Sequence, residues 1–302
     1  MRSIFSRAIV DAARADSKIL MLTGDHGYAL FDEFRRLLPD QFINAGVAEQ
    51  NMVGVAAGLA KAGFKPIVYG LNAFVPIRVL EQIKLDVCYE GLAVTFIGDG
   101  AGVVYSSLGS SHQSTEDIAI LRAIPGIRVL SPCDPFEMEY AMRHALRFDA
   151  PLYLRMGKSD LGAVHETVPD VPLGDLISVK EGTSRRFAFF ATGSMVQTAI
   201  ALAHHFNDSS VWSVPSIKPI NRAQIYGIAK EVEDIFVLEE HTTEGGVGGL
   251  IAEIVSETAQ ARVIRLGIED RFSAKCGSYN YLLQEHGIDL PALISRVTEK
   301  IL

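Results

Sequence analysis

The sequence predicts an α/β fold made of two doubly wound domains. Short apolar runs bounded by glycine or proline, such as KILMLTG and LAVTFIG, alternate with segments of helical period, such as FDEFRRLL and PFEMEYAMRHALRF. This alternation is typical of mostly parallel sheets that are covered by helices. The length of 302 residues accommodates two domains of about 100–200 residues each.

The first domain is predicted over residues 1–165. Its opening segment, MRSIFSRAIVDAARADSK, mixes acids into a helical period and lacks the apolar centre of a signal peptide, so it is predicted to be a helix of the fold. The predicted strands are, in order, KILMLTG, KPIVYG, LAVTFIG, IRVLSP and PLYLRM. The predicted helices between them include FDEFRRLL, STEDIAILRAI and PFEMEYAMRHALRF.

A second domain is predicted over residues 186–302, after a linker at residues 166–185. The periodicity fades between Gly157 and Arg186, in a stretch with prolines, glycines and scattered charges that is too long for an ordinary loop inside a domain. The alternation then resumes with the predicted strands RFAFFATGS, SSVWSVPSI, DIFVLEEH and ARVIRLGI.

Composition excludes several classes of protein. The net charge of -8 argues against a nucleic-acid partner, which requires a clustered basic surface. No apolar run approaches the roughly 20 residues of a membrane span, so no membrane association is expected. Cys88, Cys133 and Cys276 are widely spaced and odd in number, which predicts neither disulfides nor a zinc site. These features favour a cytoplasmic protein.

Residues 43–63, INAGVAEQNMVGVAAGLAKAG, combine small and apolar residues at helical spacing with an acid, Glu49, in the first predicted turn. One interpretation is favourable interaction with the helix dipole, which contributes roughly 0.3–1 kcal/mol at an exposed position. The other interpretation is a catalytic carboxyl group. The segment by itself leaves both open.

Three further segments carry polar residues near glycines. The sequence IGDGAG places Asp99 between glycines at a strand end, but the chain has no asparagine between Asn72 and Asn207, so we predict a turn there and no magnesium site. The glycines of TTEGGVGGL are predicted to allow close helix packing. Glu239, Glu240 and His241, just before them, are predicted to form a solvated strand end.

His112 lies in a polar loop, YSSLGSSHQSTEDIAIL, just ahead of a predicted helix. Loops at the ends of parallel strands are where α/β proteins keep their chemistry. A histidine there is either a proton carrier and hydrogen-bond donor or packing material.

These segments together resemble the transketolase family. FINAGVAEQNMVGVAAGLAKAGFKPIVYG is similar to its cofactor-activating segment, and SSLGSSHQSTEDIAILRAIPGIRVLSPCDPFE is similar to its substrate loop. FFATGS, PSIKPIN, LEEHTTEGGVGG and VIRLGIED are similar to its third domain. The resemblance runs in order from about residue 2 to residue 302 and lacks the family's first domain. It therefore implies the C-terminal subunit of a split, thiamine diphosphate (ThDP)-dependent enzyme.

The resemblance implies a pyrimidine-binding domain followed by a transketolase C-terminal domain. It implies ThDP and Mg²⁺ as cofactors, both held mainly by an N-terminal diphosphate-binding partner subunit in an α2β2 assembly. The acid at Glu49 would hydrogen-bond N1′ of the aminopyrimidine, so that N4′ takes the proton from C2 of the thiazolium. The implied reaction transfers a two-carbon ketol unit from a ketose donor to an aldehyde or ketone acceptor, with a sugar or sugar phosphate as substrate.

The resemblance also implies roles for particular residues. Glu49 and His112 would be catalytic. Phe74 would pack on the pyrimidine ring, or else be an ordinary core residue. Val47 and Gln82 would be further cofactor contacts. The expected substrate contacts are His112, Arg155, His26, Asp25 and Arg2, with a surface salt bridge as the alternative for Arg2.

Two positions depart from the family pattern. Leu108 stands where transketolases have an aspartate that binds substrate hydroxyls, and Gly100 stands where deoxyxylulose-phosphate synthases have an arginine. The identity of donor and acceptor therefore stays open, a nucleotide-linked sugar included. Three alternatives also stay open: the beta subunit of a 2-oxo acid dehydrogenase, a deoxyxylulose-phosphate-synthase-like enzyme, and a non-catalytic scaffold paralog.

Overall fold

The computed structural model describes residues 1–206, 208–257 and 261–301, and it contains two sheets. The strands are β1 (Ile19–Thr23), β2 (Phe42–Asn44), β3 (Lys65–Leu71), β4 (Thr95–Asp99), β5 (Arg128–Leu130), β6 (Leu152–Met156), β7 (Ile177–Lys180), β8 (Phe187–Ala191), β9 (Ser210–Ser213), β10 (Ser216–Lys218), β11 (Asp234–Thr242) and β12 (Arg262–Ile268).

Helices lie between most of the strands. They are α1 (Arg2–Ala15), α2 (Asp32–Leu37), α3 (Glu49–Lys61), α4 (Leu80–Gln82), α5 (Asp117–Arg122), α6 (Pro135–Ala145), α7 (Met195–His205), α8 (Arg222–Glu231), α9 (Val247–Ser256), α10 (Tyr279–Glu285) and α11 (Leu290–Ile301). Short 3₁₀ helices cover Pro39–Gln41 and Ile77–Val79, and a π-helical segment, Ile83–Cys88, continues α4. None of the helices described is both long and apolar enough to cross a membrane.

The first sheet has the strand order β10-β5-β6-β4-β3-β1-β2, parallel except for β10. Alternate residues of β1 enter different cores: Leu20 and Leu22 pack with α3 residues such as Met52, while Met21 packs with α1 and α6 residues such as Phe5. Because both faces are covered, the strands are continuous apolar runs. The predicted doubly wound first domain is confirmed.

The second sheet has the order β12-β11-β8-β9-β7, parallel except for β7. Helices again lie on both faces: Phe189 and Phe236 pack with α7 and α11, while Phe190 and Val237 share a core with α8 and α9. That second core is continuous with the core around α3 in the first domain. The two domains are therefore joined by packed apolar side chains.

Two strands differ from the sequence prediction. The segment predicted as a linker, residues 166–185, contains β7, which pairs antiparallel with β9 at the sheet edge. The predicted strand SSVWSVPSI is divided by Pro215, which lacks a backbone N–H. Its second part, β10, pairs with β5 of the first sheet. The second domain thus contributes a strand to the first.

Candidate active site

Glu49 is the first residue of α3, and its side chain lies inside the protein. The residue is only 2% exposed. Gly24, just after β1, makes room for it, because a Cβ at Gly24 would lie 3.5 Å from Cγ of Glu49 and 3.2 Å from the carbonyl oxygen of Gly46. The structure therefore excludes the interpretation of Glu49 as an exposed acid at a helix start.

The two carboxylate oxygens of Glu49 have different surroundings. Oε2 accepts a hydrogen bond of 2.9 Å from Nη1 of Arg78. Oε1 lies 3.5 Å from Nε2 of His26, and neither of these two buried atoms has a hydrogen-bond partner. Burial raises the pKa of Glu49, but its own backbone N–H, Arg78 and His26 outweigh that effect and lower the pKa below its usual value. Glu49 is an ionised carboxylate with one unused oxygen.

Phe74 brings the other site residues together. Its ring centroid lies 5.4 Å from that of His112, in an edge-on arrangement at 65°, and 5.7 Å from that of His26. The guanidinium carbon of Arg78 lies 4.1 Å from the Phe74 centroid. The structure thus places four predicted residues, Glu49, His26, Phe74 and His112, around one aromatic ring.

Arg78 belongs to this group and was missed by the sequence analysis. It lies in the 3₁₀ helix Ile77–Val79, four residues after Phe74, and is partly exposed. No motif marks it. The only signal in the sequence is the spacing of a cation four residues after an aromatic residue, which places both on one side of a helical segment.

The two remaining cofactor candidates flank Glu49. Val47 precedes α3 and is 77% exposed, which is unusual for an apolar side chain next to a buried acid. Gln82 ends α4, which packs against α3, and its buried Oε1 has no hydrogen-bond partner. A buried acceptor without a donor costs about 1–3 kcal/mol. Their roles toward a cofactor stay predictions.

The loop that carries His112 is held by the second domain. Nδ1 of His112 lies 3.0 Å from Oγ of Ser111. Gln113 accepts a 2.7 Å hydrogen bond from Oγ of Ser273, and the N–H of Gly277 donates to the carbonyl oxygen of Ser106. The position of His112 therefore depends on contacts between the two domains.

Asp25 and Arg2 differ in their availability for substrate. Asp25 is exposed after β1 and accepts a 3.0 Å hydrogen bond from the hydroxyl of Tyr28. Arg2 forms an ion pair with Asp99 of the GDG turn, and Asp99 also accepts a 2.7 Å hydrogen bond from Tyr69. The alternative interpretation of Arg2 as a salt-bridge residue matches the structure, and its expected place as a free substrate contact does not.

Arg155 requires a correction. The sequence predicts it to be a substrate contact at the end of β6, but the residue is only 1% exposed. Its Nε donates to Asp117 at 2.8 Å, and its Nη2 donates to the carbonyl oxygen of Glu240 at 2.8 Å. Burial of a guanidinium is tolerated only with such partners. Arg155 is a buried link between the domains, not a residue of the site mouth.

Glu239, Glu240 and His241 also require a correction, because the predicted solvated strand end is buried. Both oxygens of Glu239 accept N–H groups at the start of α9, and burial raises its pKa to about 7. Glu240 accepts a 2.7 Å hydrogen bond from the N–H of Val103 and a 2.6 Å bond from the hydroxyl of Tyr279. Burial lowers the pKa of His241 to about 4. These groups satisfy one another at the domain contact.

The two positions that depart from the family pattern have clear surroundings. Gly100 has φ of +77°, and a Cβ at this position would overlap the ring of Tyr105. No larger side chain fits there without displacement of Tyr105. Leu108 is 50% exposed and ends the loop before Gly109.

Among the residues described, one group of potential metal ligands is compact: Cys133, Glu137 and His165. Oε2 of Glu137 accepts the N–H of Cys133 at 2.8 Å, and Oε1 lies 2.9 Å from Nε2 of His165. Both carboxylate oxygens are therefore used in bracing the start of α6, and we assign the group a structural role.

Comparisons with known proteins agree with this geometry. Residues 1–163 match the family model described as transketolase, pyrimidine binding domain, and residues 178–293 match transketolase, C-terminal domain. One of the two subunits of the apulose-4-phosphate transketolase of Phocaeicola vulgatus is 32% identical over 99% of this chain and 96% of its own length.

Two further proteins are similar over their whole length. The 6-deoxy-6-sulfo-D-fructose transketolase subunit of Clostridium sp. strain MSTE9 is 29% identical over 99% of this chain and 94% of its own. A solved structure described as a split gene transketolase, inactive beta4 tetramer, has a TM-score of 0.88 and 28% identity, over 99% of this chain and 97% of its own. The chain belongs to the transketolase family and corresponds to the C-terminal subunit of its split members.

Proposed function

We propose that this chain is the pyrimidine-binding subunit of a ThDP-dependent enzyme that transfers a two-carbon ketol unit from a ketose donor to an aldehyde or ketone acceptor. The observation that carries the proposal is the buried carboxylate of Glu49, with one unpartnered oxygen, beside the ring of Phe74. A buried acid next to an aromatic face suits a flat ring that offers a hydrogen-bonding nitrogen.

The residues present fit an aminopyrimidine. Glu49 Oε1, His26 Nε2 and Gln82 Oε1 are buried polar atoms without partners, and such atoms are rare in native proteins unless a ligand or water completes them. Glu49 would bond N1′, Phe74 would pack against the ring, and Val47 and Gln82 would flank it. ThDP, when bound, supplies a nucleophilic carbon at C2 that attacks a ketose carbonyl.

The chain's own residues then divide the work. Glu49 holds the proton shared with N1′ and so sets the basicity of the neighbouring N4′. His112 donates a hydrogen bond to the substrate oxygen on which negative charge develops, as an oxyanion donor does. His26 and Asp25, on the loop after β1, lie at the mouth and contact the donor's hydroxyl groups.

A second subunit completes the site in this proposal. The carboxylate of Asp99, in the GDG turn, is already engaged by Arg2 and Tyr69, so we assign the diphosphate and Mg²⁺ to a partner. Apolar side chains on and beside α3, Val55, Leu85 and the 84% exposed Tyr89, offer that partner a surface. The names of the relatives, subunits of two-part enzymes, support an α2β2 assembly.

The proposed substrate is a ketose or ketose phosphate. The named relatives act on apulose 4-phosphate and on 6-deoxy-6-sulfo-D-fructose, two modified sugars. Leu108 would place an apolar contact where a hydroxyl-binding carboxylate is common, which favours a donor modified at that point. Tyr105 fills the space above Gly100, which disfavours a phosphate-binding arginine there and with it the deoxyxylulose-phosphate-synthase-like alternative.

The isolated chain is expected to bind ThDP weakly and to show no turnover, because the diphosphate carries most of the cofactor's charge and its ligands lie on the partner. Mixing with the diphosphate-binding subunit should restore both binding and activity. Calorimetric titration with ThDP and Mg²⁺, before and after mixing, measures this. Tight magnesium-dependent binding by the isolated chain would disprove the divided site.

His112→Ala is expected to lower the turnover of the reconstituted complex by about a hundredfold, the usual effect of removing one oxyanion donor. Affinity for ThDP should change little, because the ring of Phe74 and the carboxylate of Glu49 remain. Steady-state kinetics and a ThDP titration on the same preparation separate the two effects. Ser111→Ala, which removes only the neighbour of the imidazole, is the matched control and should lose far less.

A further inference from the structure

Arg78 lies where the aminopyrimidine of the proposed function is expected to bind. Its guanidinium carbon is 4.1 Å from the centroid of Phe74, and its Nη1 donates to Glu49 at 2.9 Å. A guanidinium is planar and cationic, stacks on aromatic rings and bonds carboxylates. These are the same two contacts that a protonated aminopyrimidine would make with Phe74 and Glu49.

We propose that Arg78 is a resident substitute for the cofactor ring, holding the pyrimidine position in the unassembled chain and moving out when ThDP binds. This inference rests on the proposed function and adds a residue to it. Glu49 Oε2 and the stacking contact on Phe74 are engaged by the guanidinium. His26 and His112 already lie against the same ring. The guanidinium and the cofactor ring therefore compete for one place.

Burial explains why a substitute is needed. A carboxylate that is 2% exposed is costly to keep ionised without a cation close by. Before assembly, Arg78 is the cation that reaches Glu49, with His26 at 3.5 Å as the other nitrogen base. After assembly, a protonated N1′ would take over that charge. Arg78 thus stabilises the site in the form in which it waits for its partner.

The side chain of Arg78 is free to leave. It is 45% exposed and begins in the 3₁₀ helix Ile77–Val79, so its movement requires new rotamers but no change in the core. The competition lowers the apparent affinity for ThDP by the fraction of chains in which Arg78 holds the place.

The test compares ThDP affinity in reconstituted complexes that carry Arg78→Ala, Arg78→Lys or no substitution. Arg78→Ala is expected to tighten ThDP binding about fivefold, as measured by calorimetry with Mg²⁺, because the competing group is removed. Arg78→Lys keeps the charge but lacks the planar stacking group, so an intermediate value is expected. Arg143→Ala, which removes an exposed pair with Glu139, is the matched control and should bind as the unsubstituted chain does.

A second readout uses the full chain without its partner. Carboxyl ¹³C titration should give a higher pKa for Glu49 in Arg78→Ala than in the unsubstituted chain, while Arg143→Ala leaves it unchanged. Weaker ThDP binding in Arg78→Ala would overturn the inference, since Arg78 would then hold the cofactor itself. An unchanged affinity together with an unchanged Glu49 pKa would also overturn it. Failure of the unsubstituted complex to bind ThDP would instead reject the proposed function.

Discussion

Glu49→Gln is expected to slow exchange of the C2 proton of bound ThDP by about 10²–10⁴-fold in the reconstituted complex, the usual loss when a general acid or base is removed. Glutamine has nearly the same shape as glutamate and keeps the contact with Phe74, but it cannot share a proton with N1′. Affinity for ThDP should therefore fall much less than the exchange rate. Deuterium exchange followed by acid quench and proton NMR measures the rate.

The comparison with His112→Ala makes this prediction specific. If His112 acts on the substrate alone, its removal leaves C2 exchange near normal and lowers only turnover. Equal losses of exchange in the two variants would mean that His112 helps to form the cofactor position. Normal exchange in Glu49→Gln would contradict the assignment of this chain as the pyrimidine-binding subunit.

The surroundings of Glu49 explain how one carboxyl can be ionised before assembly and share a proton afterwards. Two effects oppose each other in the free chain: burial raises its pKa, while its own backbone N–H, Arg78 and His26 lower it. If Arg78 leaves when the cofactor ring enters, one of the groups that lower the pKa is lost and burial remains. The pKa of Glu49 would then rise toward the range in which proton sharing with N1′ is favourable.

The sequence was sufficient to predict most of the sheet because buried parallel strands require continuous apolar runs. β1, β4 and β6 are buried at every residue, and each was visible as such a run. β7 and β10 were not predicted as separate strands. They are short, lie at sheet edges and are stabilised by pairing with β9 and β5, which no local pattern reveals.

The site could be predicted in part. Glu49, Phe74 and His112 lie in segments whose resemblance to a known family is strong, and the structure brings them together. The burial of Arg155 could not be predicted, because its partners, Asp117 and the carbonyl of Glu240, are far away in the sequence. Charged side chains are exposed by default, and only the folded chain shows which of them find a buried partner.

Arg155→Met is expected to lower the free energy of unfolding by about 3–5 kcal/mol, because it leaves the carboxylate of Asp117 buried without its cation. The pair is almost completely buried, with 2.8 Å between Nε of Arg155 and Asp117. Urea unfolding of the isolated chain at fixed concentration measures the loss. Arg128→Met, which breaks a more exposed pair with Asp149, is the matched control and should cost no more than about 1 kcal/mol.

The same variants distinguish a buried link from a substrate contact at Arg155. If the loss comes from an unpaired buried charge, the double variant Asp117→Asn with Arg155→Met should recover part of the stability, because no ionised group is then left without a partner. A substrate contact predicts the opposite pattern: a higher KM in the reconstituted complex, stability within about 1 kcal/mol of the unsubstituted chain, and no recovery in the double variant. That pattern would restore Arg155 to the site mouth and contradict its structural role.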